Sequence, residues 1–168
     1  MALTASVRVR VSGTLTGTPD IGNASHTFNE ILALTLANGT GAGQATQYWS
    51  DTRTITASGN EDIDLAGGIT NALGATLTLT AVKCIIVSAA AGNTNNVNVS
   101  RPSSNGFIGP FLASSDGLAI KPGGFIVLSE GGSAAGWAVT AGTGDLLNVA
   151  NSAGSTSVTY TIHVFGEA

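Results

Sequence analysis

Charged side chains are scarce in this sequence. Asp, Glu, Lys and Arg make up only 10% of the 168 residues, with ten acidic and six basic side chains and a formal net charge of -4 at pH 7. Proteins that bind nucleic acid neutralise phosphates with a basic surface. The composition therefore predicts no nucleic-acid partner, and it leaves solubility to hydroxyl and amide side chains.

Cysteine and long apolar runs are also nearly missing. The single cysteine, Cys84, lies in the apolar run from Ala81 to Val87 and is expected to pack as a small hydrophobe. No apolar stretch approaches the roughly 18 residues that can span a bilayer, so we expect no membrane partner. Residues Met1 to Val11 alternate and contain two arginines. This pattern is unlike a secretion signal and predicts synthesis in a cytoplasm.

Helical patterns are almost absent, since the only plausible piece, Leu65 to Leu73, contains the pair Gly67 and Gly68. Each glycine costs up to about 1 kcal/mol inside a helix, so we expect one helical turn there at most. Alternation of apolar and polar residues is common instead and predicts half-buried strands. The predicted strands are Val7–Val11, Phe28–Leu36, Gln47–Thr56, Leu77–Leu79, Val82–Ser88, Asn95–Ser100, Phe125–Ser129, Trp137–Ala141, Leu146–Val149 and Val158–Val164.

Glycine-rich turns separate nearly all of these strands, and no linker divides the chain. Many short strands joined in this way predict an all-β fold. We expect a single-domain β-sandwich or jelly roll over residues 1–168, with residues 1–16 as an N-terminal strand or arm.

The stretch "GTGAGQATQYWSDTRT", Gly39 to Thr54, begins like a phosphate-binding loop. A dinucleotide fingerprint requires a third glycine at the sixth position, where this chain has Gln44, and a nucleoside-triphosphate loop requires Gly-Lys-Ser or Gly-Lys-Thr. Neither motif is present. The glycines predict a turn, and no cofactor is expected.

Acidic and histidine residues give little support for a catalytic or metal site. Glu61, Asp62 and Asp64 lack a nearby histidine and the spacing of a calcium loop, so a solvated strand edge is favoured over calcium. His26 and His163 lie near opposite ends of the chain. We expect no enzyme and no catalytic or metal-binding residue. The alternative is a hydrolase that uses Asp51 or the pair Asp62 and Asp64.

Aromatic residues are few, with five Phe, two Tyr and two Trp, and four of them suggest contacts with other proteins. Tyr48 and Trp49 are adjacent, so an extended backbone directs them to opposite faces and only one can fill the core. Phe107 and Phe111 lie in the irregular segment "GFIGPF". Exposed aromatics that cluster mark protein contacts. The alternative is that Trp49, Phe107 and Phe111 cap the ends of the sandwich.

Several blocks of the chain resemble a family of small β-rich proteins encoded among the virion structural genes of tailed bacteriophages and prophages. They are "LANGTGAGQATQYWSDTRTITASGNEDIDLAG", "AAGNTNNVNV", "KPGGFIVL", "GWAVTAGTGDLLNVANS" and "SVTYTIHVFG", and they cover most of residues 30–166. The resemblance implies a non-enzymatic virion component that is made in the host cytoplasm. It carries over no catalytic residue.

Within a virion, we expect a capsid decoration (cement) protein on the head surface, because the turns look short and the N-terminal extension brief. Such a protein binds the major capsid protein and other virion proteins as a homo-oligomer, a dimer or trimer. The alternative is a tail component, in the tail tube, fibre or baseplate. One form of this alternative is a receptor- or carbohydrate-binding module.

The proposed contact depends on the surface area that it buries and involves no chemical reaction. Specific interfaces bury about 1,600 Å² in total and depend on a few apolar anchors, and many copies on one particle reinforce a weak contact. The N-terminal strand Leu3 to Val11 is one candidate surface, with its arginines facing an acidic capsid surface. The candidate interface residues are Arg8, Arg10, Tyr48, Trp49, Phe107 and Phe111.

Overall fold

The computed structural model describes residues 2–114, 116–130, 132 and 135–168, and over these residues the chain forms fourteen β-strands and no helix. The prediction of an all-β protein is confirmed. In chain order the strands are β1 (Ala5–Gly17), β2 (Ala24–Asn38), β3 (Gln44–Ala45), β4 (Gln47–Ile55), β5 (Asn60–Asp64), β6 (Ala66–Thr70), β7 (Thr76–Thr78), β8 (Ala81–Ala89), β9 (Val97–Ser100), β10 (Gly117–Ile120), β11 (Phe125–Ser129), β12 (Trp137–Ala138), β13 (Leu146–Asn151) and β14 (Val158–Glu167).

The sequence predicted at most one helical turn within Leu65 to Leu73, and the structure has none there. This segment contains β6, which pairs antiparallel with β7 through an irregular register between Ala66 and Ile69. The extended backbone buries Ile69 and Leu77 together in the core. Tertiary burial therefore determines the conformation of a segment whose glycines already disfavoured a helix.

Eight strands form two antiparallel sheets that make up most of the body, and the short strand β12 extends the first of these sheets by pairing with β8. The first sheet has the order β11-β8-β14-β4, and the second has the order β10-β9-β13-β5. Every connection between these eight strands crosses from one sheet to the other, except that from β9 to β10, which pair with each other. This connectivity agrees with the expected sandwich or jelly roll.

The inner faces of the two sheets contribute to one hydrophobic cluster. Alternate residues are buried in β9, β13 and residues 158–164 of β14, as the two-residue period of a strand requires. β8 is buried along most of its length, since the base of the arm packs on its outer face. The buried members include Trp49, Ile85, Val87, Ile162 and Val164 from the first sheet and Ile63, Val97, Val99, Leu147 and Val149 from the second.

Three asparagines close one end of this body. The Nδ2 of Asn95 donates hydrogen bonds to Asn151 Oδ1 and to the carbonyl of Thr156, each at 3.0 Å. Asn93 Nδ2 donates to the carbonyl of Thr159 at 2.8 Å. Buried amides that lose their partners are costly, so the motif "NTNN" has a structural role here: it joins two loops.

The glycine-rich segment after β2 forms a turn whose interior is filled by the side chain of Gln44. Gly39 and Gly43 have φ values of 142° and 64°, which favour glycine. The backbone N–H of Gly41 donates to Gln44 Oε1 at 2.8 Å, and this oxygen lies 2.3 Å from the position of a Cβ on Gly39. Gln44, which breaks the dinucleotide fingerprint, therefore occupies the centre of the loop.

The first two strands form a long hairpin, which we call the arm (residues 5–38). β1 and β2 pair antiparallel from Ala5 with Leu36 to Gly17 with Ala24. The 13 residues of β1 extend for about 40 Å at roughly 3.4 Å per residue. The sequence predicted an N-terminal strand or arm over residues 1–16 and short turns throughout. The structure corrects this view, because the arm has a second strand of 15 residues.

Candidate functional site

The arm has two faces of different chemistry. Because side chains alternate along each strand, the odd-numbered residues of β1 and their partners form an apolar face, and the even-numbered ones form what we call the arginine face. The apolar face carries Ala5, Val7, Val9, Val11 and Leu15 opposite Leu36, Leu34, Leu32, Glu30 and His26, with Phe28 opposite Gly13.

The base of the apolar face packs on the outer surface of the first sheet. Leu36 and Ala45 form a buried cluster with Cys84 of β8 and Phe165 of β14, and Val7 and other side chains from the arm pack against it. The arm is therefore anchored to the body by a second, smaller hydrophobic core.

In the part of the chain that the structure describes, no such cluster covers the distal part of the arm (residues 9–17 and 24–32). Val11, Leu15, Phe28 and Leu32 of the apolar face are 47%, 69%, 42% and 58% exposed. The Phe28 ring lies over Gly13, where an added Cβ would be 2.7 Å from Cζ, so this glycine permits the close approach. Large apolar side chains clustered on one exposed face mark a contact surface.

An apolar groove of about 580 Å³ continues from this face towards the body. Val9 and Leu32 of the arm form one wall, and Phe125 and Val127 of β11 form the other. The side chain of Phe125 is 63% exposed, and β11 is an edge strand of the first sheet. The groove and the distal apolar face are thus one continuous hydrophobic surface.

The two arginines predicted to make contacts lie on the opposite side of the arm. Arg8 and Arg10 are exposed, and Arg10 Nε donates to Asn29 Oδ1 across the hairpin at 3.0 Å. Ile31, which pairs with Arg10, is the large apolar residue of this face and is 54% exposed. The arginine face is accessible to a partner while the base of the arm remains seated.

The three remaining large aromatic candidates are not surface anchors. Trp49, Phe107 and Phe111 are 3%, 0% and 5% exposed and belong to the main core. This corrects the expectation that they make an exposed interface. Their burial is consistent with the alternative that they cap the ends of the sandwich. Trp49 is buried because it faces the second sheet. Phe107 and Phe111 are buried because their irregular segment folds inward, where the N–H of Phe107 donates a hydrogen bond to the carbonyl of Leu146 at 2.8 Å.

Tyr48 lies on the face of β4 opposite to that of Trp49, as the alternation predicted. It is half-buried beside the arm's cluster, and its hydroxyl is 2.9 Å from His163 Nδ1. Its ring also contacts Phe165, with centroids 4.8 Å apart. Tyr48 therefore helps to seat the arm of its own chain.

The carboxylates considered for a hydrolase are each bound to a different group. Asp51 Oδ2 accepts a hydrogen bond from Arg53 Nε at 2.9 Å. Asp62 Oδ1 accepts one from Asn148 Nδ2 at 2.7 Å, and Asp64 Oδ1 accepts one from the backbone N–H of Ala66 at 2.8 Å. Each carboxylate thus has a local structural partner, and this arrangement does not favour the hydrolase alternative.

Glu61 accepts hydrogen bonds from two side chains of the first sheet. Its Oε2 accepts a hydrogen bond from Arg53 Nη1 at 2.6 Å, and its Oε1 accepts one from the Tyr160 hydroxyl at 2.8 Å. Burial, and then the hydrogen bond to Glu61, raise the pKa of the Tyr160 phenol. Since β4 and β14 belong to the first sheet and β5 to the second, this network joins the two sheets along one edge.

No group of three or more His, Cys, Asp or Glu that could hold a metal ion occurs among the described residues. His26 stacks near Phe28 on the arm, with ring centroids 6.4 Å apart, whereas His163 lies on β14. Over the same residues, no helix is long and apolar enough to cross a membrane.

The sole cysteine should report whether the arm remains seated. Cys84 is fully buried under the arm, and burial raises the pKa of its thiol from 9.0 to about 11. We expect the thiol to react with an alkylating reagent at pH 8 at least about a hundredfold more slowly in the folded than in the unfolded protein, because the thiolate is the nucleophile. Mass spectrometry of the alkylated protein measures this rate, with urea-unfolded protein as the reference.

The same shift predicts a loss of stability at high pH. The thiol ionises in the unfolded chain before it does so in the folded chain, so stability from this group is complete below about pH 9 and falls as pH rises towards 11. Cys84→Ala, which lacks the thiol, should lose less stability over that range. Rapid alkylation of the native protein would contradict a seated arm.

The distal apolar face was not predicted from the sequence. Val7–Val11 and Phe28–Leu36 were predicted as separate strands, but the residues between them were not recognised as part of a hairpin. The available signal was the turn segment Thr18 to Asn23, which contains Pro19 and Gly22 and lies between two alternating runs.

No protein-family model matches the chain, and no curated protein or solved structure with which it was compared matches it either.

Proposed function

We propose that this chain is a non-enzymatic structural protein of a tailed-bacteriophage virion, a capsid decoration protein that binds the major capsid protein on the head surface. The observation that carries the proposal is the arm, whose distal apolar side chains and two exposed arginines extend from a well-packed body. The resemblance of residues 30–166 to virion proteins supplies the biological setting.

The arm supports an assembly role on physical grounds. Soluble monomers rarely expose several large apolar side chains on one face, and such surfaces mark contacts with other molecules. On a particle with many copies, contacts of this kind need not be strong singly, because each bound subunit increases the effective concentration of the next contact.

The arginine face is the part of the arm that we assign to the capsid. The opposite side of the strand Leu3 to Val11 is occupied by its own body at the base. Arg8 and Arg10 are the charged residues of this strand, and both are exposed. A contact between these guanidinium groups and an acidic surface would be oriented by charge and weakened by salt.

A tail component is the second candidate, and the length of the arm favours it. The head location was predicted from short turns and a brief N-terminal extension, and the arm removes that argument. The connectivity of the two sheets agrees with a jelly roll, an architecture of viral capsid domains and also of lectin domains, so it fits the head without assigning a function. An exposed tryptophan would support a carbohydrate-binding module, but Trp49 is buried.

Binding to separated heads and tails tests the proposal. Purified heads and tails that lack this protein would be incubated with it in turn and pelleted, and the bound fraction measured. We expect binding to heads that Arg8→Glu weakens about tenfold at low salt, because the reversed charge repels an acidic surface. Lys121→Glu, an equal charge change at an exposed site on the body, is the matched control and should bind normally.

Three outcomes would count against this assignment. Binding to tails alone would support the second candidate, and binding to neither particle would overturn the virion proposal. Equal losses for Arg8→Glu and Lys121→Glu would show that overall charge, and not the arginine face, determines binding.

A further inference from the structure

We propose that the distal apolar face of the arm packs against a second copy of this chain, in the groove between the arm and β11, and that two copies exchange arms reciprocally. The arm and the groove are the only features on which this pairing of copies depends. It therefore does not depend on the virion assignment.

The distal part of the arm lacks the support that a two-stranded ribbon needs. Isolated hairpins are at best marginally stable in water, and stable ones have a third strand or a packed face. The base of the arm has such a packed face, but Leu15, Phe28 and Leu32 do not. An additional surface is required to hold the ribbon in the extended form that the structure shows.

Every copy of the chain already offers a surface of the right kind. The base of the apolar face packs on the outer side of the first sheet, through Cys84 and Phe165. The groove continues that surface to Phe125 at the edge strand β11. The distal face carries the apolar side chains Val11, Leu15, Phe28 and Leu32 together with Glu30 and His26. A second copy presents to these apolar side chains a surface similar to the one that the base already covers.

Charge favours contact between an arm and a body. Arg8 and Arg10 are balanced within the arm by Asp20 and Glu30, so the net charge of -4 lies on the rest of the chain. Two bodies brought together repel each other, whereas a neutral arm meets an acidic body with less repulsion. Charge therefore disfavours contact between two bodies and leaves the arm as the element through which copies join at low electrostatic cost.

The size of the surface decides in favour of reciprocal exchange. The distal ribbon is about 30 Å long and about 10 Å wide, so each arm covers roughly 300 Å². A one-way contact would bury about 600 Å² in total, which is in the range of incidental contacts, whereas two reciprocal contacts bury about 1,200 Å², the lower end of specific interfaces. A twofold dimer in which each copy uses the same patch meets that requirement.

Two adjacent residues of β2 provide a matched test. Leu32 lies on the apolar face and is 58% exposed, whereas Ile31 lies on the arginine face and is 54% exposed. We expect the wild-type chain to sediment as a dimer at micromolar concentration and Leu32→Asp to raise the dimer dissociation constant at least tenfold. Ile31→Asp should leave the dissociation constant within about twofold of wild type, because that residue lies outside the contact.

Cysteine cross-linking tests the pairing of surfaces directly. In a Cys84→Ala background, a Leu15→Cys protein and a Phe125→Cys protein would be mixed and oxidised, so that only a bond between copies can join one to the other. We expect this pair to cross-link at least fivefold more than Thr16→Cys mixed with Phe125→Cys, since Thr16 lies on the arginine face. Alkylation of Cys84 in the Leu32 and Ile31 variants shows whether the base of the arm is still seated.

A monomeric wild-type chain at 100 micromolar, or equal effects of the Leu32 and Ile31 variants, would overturn the proposal. Equal cross-linking of Leu15→Cys and Thr16→Cys with Phe125→Cys would do the same. A chain that is monomeric in solution, and whose arm is protected only when phage heads are added, would assign the apolar face to the capsid instead of to a second copy.

Discussion

Phe107→Ala is expected to lower the free energy of unfolding by about 3–5 kcal/mol, the cost of removing a buried aromatic ring from a packed core. Phe107 is 0% exposed although it lies in an irregular segment between strands. Its ring is packed so closely that an added Cβ on Gly109 would be 2.3 Å from its Cζ. Urea unfolding monitored by the fluorescence of the two tryptophans measures the change.

Phe125→Ala is the matched control, because it removes the same side chain from a position that is 63% exposed. Its effect on a monomer at low concentration should be within about 0.5 kcal/mol. If Phe107→Ala were as stable as this control but bound particles poorly, the ring would be an interface anchor after all.

Glu167→Gln is expected to destabilise the protein by about 3 kcal/mol. The side chain of Lys83 is 1% exposed, and its Nζ lies 3.1 Å from Glu167 Oε2. A buried ammonium that loses one of its partners retains the cost of desolvation with less compensating attraction. Lys83→Met combined with Glu167→Gln should recover much of this loss, because the double variant removes both charges. Thermal and urea unfolding of the four proteins in the cycle measure the coupling.

The more exposed ion pair of Asp51 and Arg53 is the comparison for the buried pair of Lys83 and Glu167. Its side chains are 44% and 30% exposed, so Asp51→Asn should change stability by no more than about 1 kcal/mol. Equal effects of Asp51→Asn and Glu167→Gln would contradict the importance of burial. A double variant less stable than Glu167→Gln alone would show that Lys83 stabilises the fold through other contacts.

The strands of the body could be predicted from the sequence because alternation and turn residues are local signals. The segments Gln47–Thr56, Val82–Ser88 and Val158–Val164 overlap β4, β8 and β14 closely. In contrast, the strand β6 within Leu65 to Leu73 was not predicted, because the pairing of β6 with β7 is determined by burial and not by local propensity.

The site was predicted only in part. Alternation shows that Tyr48 and Trp49 face opposite ways, but it cannot show which of them faces the core. That choice depends on the second sheet, which covers Trp49, and on the arm, which lies beside Tyr48. Arg8 and Arg10 are surface residues as expected. The distal apolar face could not be recognised without knowing that β1 and β2 pair along their full length.

The two-faced arm limits how its length can vary in evolution. Neighbouring side chains point to opposite faces of the arm. An insertion or deletion of one residue within β1 would therefore move every side chain before or after that point to the other face. Arg8 and Arg10 would then be directed towards the body that Val7 now contacts. Length changes that keep both faces intact must therefore come in steps of two residues within a strand, or be confined to the turn between Thr18 and Asn23.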